Sequence, residues 1–122
     1  VEKAVLSLSH DLNAFPGEFF VTGHKRNHKP NYIWVFEEND VWSQRGRRWL
    51  SRKLDDYLME HNQHYKYFIG GELNPCEVYF VDKSVFQGWY RLHKADLGHT
   101  KIPRIVTDPA IAQYFFNNIT LK

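Results

Sequence analysis

The sequence predicts an α+β fold: a small, mostly antiparallel sheet of about four strands with helices packed on one face. Three observations lead there. Aromatic and β-branched runs occur in neighbouring pairs, EFFVTG with NYIWVFEEN and HYKYFIGGEL with CEVYFVDK, which is the pattern of hairpins. Segments of helical period separate those pairs, so adjacent strands are joined by turns within a pair and by helices between pairs. At 122 residues, with 43% apolar and 25% charged residues, the chain can bury its own core and does not have a disordered composition. One domain spanning 1–122 is expected.

The elements follow in order. AVLSLSHDLNAF places Val5, Leu8, Leu12 and Phe15 at helical spacing before the stop signal Pro16-Gly17, so a short amphipathic helix opens the chain. Two strands come next, and TGHKRNHKPN is expected to form a loop between them, stiffened by Pro30, which lacks a backbone donor and restricts Lys29. From Asp40 to Asn62, Leu50, Leu54, Tyr57, Leu58 and His61 mark one face of a long helix. A second hairpin turns at Asn74-Pro75. Ser84 to Arg104 is expected to be mostly loop, because Gly88, Gly98 and Pro103 interrupt it. Thr107 or Asp108 as N-cap and Pro109 at the first helical position start a closing helix through TDPAIAQYFFNN. No repeat or low-complexity linker divides the chain.

A formal net charge of +2 is too small for bulk electrostatics to force binding to a polyanion, so any basic site has to be local. Two clusters qualify. Lys25, Arg26 and Lys29 lie in the expected loop, and Arg45, Arg47, Arg48 and Arg52 gather at the front of the long helix, ahead of Asp55, Asp56 and Glu60. That order opposes the helix dipole, which favours acids at the N-terminus, so stability alone does not select it. An anion among these arginines meets both their charge and the free N–H groups of the first turn. The competing account pairs Arg52 with Asp55 or Asp56 and Lys53 with Asp56 on a solvated face. The leading expectation is a nucleic-acid-binding protein, DNA or RNA undistinguished, that contacts phosphate backbone through both clusters, converging on one surface. Trp42, Trp49 and the run Tyr32 to Phe36 could stack bases, although such aromatics more commonly form core.

Two rivals remain. A small metal-independent nuclease of the ribonuclease-toxin type needs a base, an acid and a cation, for which His24, His28, His93 and His99 are weak candidates. A protein–protein interaction module of viral or bacterial origin would expose aromatic anchors to a protein partner. Other constellations are weaker. His61 and His64 lack a third ligand, and Glu72, Glu77, Asp82 and Lys83 are poorly placed for magnesium because Asp82 and Lys83 alternate across a strand. Cys76 has no histidine partner by local spacing. No phosphate-binding loop, dinucleotide fingerprint or hydrolase motif occurs, and no cofactor or metal is expected. Cys76 is the single cysteine, so no intrachain disulfide can form. With no apolar run of about 18 residues, a soluble cytoplasmic protein with no membrane partner is expected. Val1 in place of Met leaves a longer parent chain open.

Overall fold

The structure, a computed structural model, describes residues 2–26, 29–61, 74–92 and 102–120, with residues 24–26, 29, 30 and 120 described by backbone alone. Its elements are α1 (Glu2–Leu12), β1 (Phe19–Arg26), β2 (Lys29–Glu37), α2 (Asp40–Arg45), α3 (Arg47–His61), β3 (Glu77–Val81), α4 (Lys83–Leu92), β4 (Ile105–Val106), α5 (Pro109–Phe116) and β5 (Ile119–Thr120). The α+β class holds.

The sheet is richer than the sequence suggests. Among the described residues five strands run in the order β4-β1-β2-β3-β5. β1 pairs antiparallel with β2 and β3 antiparallel with β5. The β1–β4 and β2–β3 contacts are parallel. The sheet is therefore mixed, and β3 lies beside β2. The segment HYKYFIGGEL, and with it the expected second hairpin, lies outside the described residues.

Helices cover both faces of the sheet, which corrects the one-face expectation. The strands read as continuous apolar runs, and alternation sends successive side chains to opposite sides. Phe19, Val21, Trp34, Phe36, Val78 and Phe80 join Ala4, Val5 and Leu8 of α1, Trp42 of α2 and Leu50 and Leu54 of α3 in one core. Phe20, Ile33, Val35 and Val81 join Phe86 of α4, Phe115 of α5, Ile102 and Val106 in the other. Trp34, Trp42 and Phe36 are all buried to 1% exposure or less, so these three rings are core and cannot stack on a base.

Local chemistry sets the helix ends. α1 stops at Leu12, three residues before Phe15, because Asn13 adopts φ +53° and the amides of Ala14 and Asn13 bond back to the carbonyls of Ser9 and His10 at 3.0 and 3.3 Å. This double bond is the Schellman stop, with Asn in the left-handed position. Phe15, expected on the helix face, is 64% exposed. The expected helix from Asp40 to Asn62 is two helices broken at Gly46, whose φ of +87° and ψ of 147° suit glycine alone. Asn39 caps α2 by accepting from the amides of Val41 and Trp42 at 3.0 and 3.1 Å.

The stretch expected to be loop from Ser84 contains α4. Its start is capped by Asp82, whose Oδ1 accepts from the Ser84 amide at 2.9 Å. Asp82 thus acts as a helix cap. Gly88 does not break the helix: a Cβ there would lie 3.1 Å from the Tyr114 hydroxyl of α5, so the glycine permits close helix approach. Asp108 caps α5 and Pro109 occupies its first turn, as expected.

Candidate functional site

The basic stretch TGHKRNHKPN is mostly strand. β1 continues to Arg26 and β2 begins at Lys29, with Arg26 opposite Lys29, Lys25 opposite Pro30 and His24 opposite Asn31. The side chains of His24, Lys25, Arg26 and Lys29, and His28, His93 and His99 altogether, lie outside what is described. So does the convergence of this cluster with the arginines of α2 and α3.

The second cluster is described. α2 ends on Arg45, Gly46 turns the chain, and Arg47 and Arg48 open α3. Arg45, Arg47, Arg48 and Arg52 border one open groove of about 740 Å³, together with Trp49, Ser51 and the segment Cys76 to Tyr79 at the start of β3. Arg47 lies 5.1 Å from the centre of the Tyr79 ring, and Arg45 and Lys53 lie 5.3 and 5.6 Å from that of Trp49. These contacts hold the cations against aromatic faces. The competing account of α3 does not hold: among the described residues, the ion pairs are those of Arg104 with Glu2 and Glu18 at 3.4 and 3.7 Å, and none joins Arg52 or Lys53 to Asp55 or Asp56.

Asp55 has a different task. It is buried on α3 one turn beyond Ser51, and its Oδ2 accepts from the Cys76 amide at 3.0 Å. Ser51 Oγ donates to the Cys76 carbonyl at 2.5 Å, and the Cys76 thiol donates to the Ser51 carbonyl at 3.3 Å. Both residues therefore clamp the groove's two walls, α3 and the lead-in to β3, through main-chain groups. Burial above all, with the Asp55 carboxylate second, pushes the Cys76 thiol well above its ordinary range. A thiol held protonated in this way is a poor nucleophile. The buried Trp34 Nε1 has no hydrogen-bond partner among the described residues. Sequence reading missed Ser51 and Asp55; the legible signal was a polar pair at i and i+4 interleaved with Leu50 and Leu54.

Glu77 closes the far side of the groove. Its Oε2 accepts from Asn31 Nδ2 at 2.7 Å and its Oε1 from the Tyr79 hydroxyl at 2.9 Å. Among the described residues no group of three histidine, cysteine or acidic side chains could hold a metal ion. No described helix is long and apolar enough to cross a membrane.

A mixed five-stranded sheet between two helical layers, with an arginine-lined groove where α2 meets α3, defines an α+β domain built to present a shaped polar recess at one edge. The chain belongs to the GH3 family: residues 1–110 match the family's C-terminal domain. Among solved structures it is similar to an AtGH3.15 acyl acid amido synthetase in complex with 2,4-DB, at 16% identity and a TM-score of 0.62, and that match covers 98% of this chain and 23% of the other. A second structure, a GH3.15 acyl acid amido synthetase, matches at 18% identity and a TM-score of 0.61 over 98% of this chain and 22% of that one. The chain thus spans under a quarter of the length of either synthetase. Comparison with curated protein sequences returns no match.

Family membership overturns the nucleic-acid expectation and its rivals, the nuclease and the viral or bacterial interaction module. The solved proteins sharing the fold are named as synthetases, and the ligand named with one of them, 2,4-DB, is not a polynucleotide. The physical reason for the misreading is clear. Clustered arginines report an affinity for anions in general, and sequence alone does not reveal that Trp34, Phe36 and Trp42 are committed to a core.

Proposed function

We propose that this chain is the C-terminal module of an acyl acid amido synthetase, an enzyme that joins an acyl acid to an amine through an amide bond. The observation that carries the reading is the family match across residues 1–110; the shared fold over 98% of the chain supports it. Condensing a carboxylate with an amine near neutral pH runs uphill. A synthetase therefore couples the step to cleavage of a nucleoside triphosphate, which activates the carboxyl carbon before the amine displaces the activating group. In this proposal residues 1–122 act as one folded unit in a cytoplasmic enzyme, and the acyl acid and amine are small molecules.

The test is direct. The full-length protein that carries this module is incubated with ATP, a panel of acyl acids and the standard amino acids, and products are read by mass spectrometry. An amide at the summed mass less water, formed only with ATP, is the expected result. Absence of any ATP-dependent amide across the panel overturns the reading.

A further inference from the structure

We propose that the groove bordered by Arg45, Arg47, Arg48 and Arg52 is a binding site for a small polyanion, a molecule carrying two or more phosphate or carboxylate groups. The groove's volume of about 740 Å³ falls in the range of small-molecule sites. Four guanidinium-bearing residues from the end of α2 and the first two turns of α3 border it. Among the described residues, none of the four forms an ion pair. Like charges gathered on one surface repel one another, and a bound anion relieves that repulsion while filling the guanidinium forks in pairs.

Partial preorganisation strengthens the case. Arg47 rests on Tyr79 and Arg45 on Trp49, so part of the ordering cost of binding is met before a ligand arrives. Among the described residues that line the groove the one acid is Glu77, with an oxygen engaged by Asn31 and the other by Tyr79. Its charge repels an anion from the β3 wall and so directs the ligand toward the α3 wall. Asp55, the acid closest along α3, is turned inward onto the Cys76 amide. The occupant is small because the groove holds only about 740 Å³, and the core rings Trp34, Trp42 and Phe36 are buried and do not line it.

Isothermal titration of the protein with pyrophosphate, citrate and acetate tests the site. Saturable binding of pyrophosphate or citrate, at least about tenfold tighter than acetate, is expected, and the stronger of the two identifies phosphate or carboxylate as the natural chemistry. Arg48→Gln and Arg52→Gln, both at exposed positions, should each weaken binding by about tenfold, the scale of one charge-assisted hydrogen bond. Arg91→Gln, exposed on α4 and outside the groove lining, should leave it unchanged. If Arg48→Gln unfolds the protein, Arg52→Gln carries the same readout. Lack of saturable heat with both polyanions, or equal weakening by Arg91→Gln, overturns the proposal. The titration needs no catalysis, so its outcome is independent of the amide-forming assay.

Discussion

Asp55 illustrates how one buried side chain can determine the shape of a recess that it does not line. Replacing it with alanine leaves the Cys76 amide without an acceptor in a region closed to water, at a cost of about 1–3 kcal/mol. Urea denaturation should show that loss for Asp55→Ala and a smaller one for Asp55→Asn, which keeps an acceptor oxygen. Cys76 offers a second test at this scale. Buried at 3% exposure, with its thiol pushed up by burial and by Asp55, it should react with a maleimide far more slowly in the native protein than in urea. Equal rates in the two states would refute the clamp. Neither role could be read from residue type, since a serine, an aspartate and a cysteine separated by up to 25 positions show their relation only once the fold brings them together.

Among the elements, the break at Gly46 sets the groove's geometry, because it turns α2 so that Arg45 and Arg47 face one recess. No atom would obstruct a Cβ at this position, but its φ of +87° remains unfavourable to any side chain. Gly46→Ala should therefore cost about 1–3 kcal/mol of stability, measured by thermal or urea unfolding, through backbone strain alone. Much of the element pattern was legible. The hairpin strands, the periodicity of α3 and the Asp108-Pro109 start of α5 all follow from local chemistry that the structure reproduces. α4 was lost because Gly88 was read as punctuation, whereas its meaning is contact with Tyr114, a relation between residues far apart in sequence. β4 and β5 have two residues each, too short for any alternation to register. The arginine cluster was legible as a gathering of cations, and the structure sets all four beside one groove, but no class of ligand could be read, because carboxylates, phosphates and polynucleotides share the features that arginine recognises.

At the scale of the whole molecule, one buried and one half-buried group give stability a dependence on alkaline pH. Cys76 and Tyr90 both hold their protons more tightly folded than unfolded, Cys76 through burial and then Asp55, Tyr90 through burial and then Glu18. Their contribution is complete below the ordinary values of 9.0 and 10.0 and is lost as pH rises through the raised folded values. Urea midpoints measured from about pH 7 to 11 should fall from about pH 9 upward, and Cys76→Ala should reduce the early part of that fall relative to its own neutral-pH midpoint. Tyr90 also ties the layers together. Its hydroxyl donates to Glu18 at 3.1 Å, and Glu18 in turn meets Arg104, which donates to the Phe19 carbonyl at 3.0 Å.

The parallel contact of β4 with β1, which sets Val21 beside Ile105, bears on how the chain is made. During synthesis the hairpin leaves the ribosome long before its flanking partner exists, so one rim of a growing sheet stays open while more than sixty residues are added between Glu37 and Ile105. Such exposed rims recruit foreign strands, and the late two-residue cover is what makes the nascent protein safe from its neighbours.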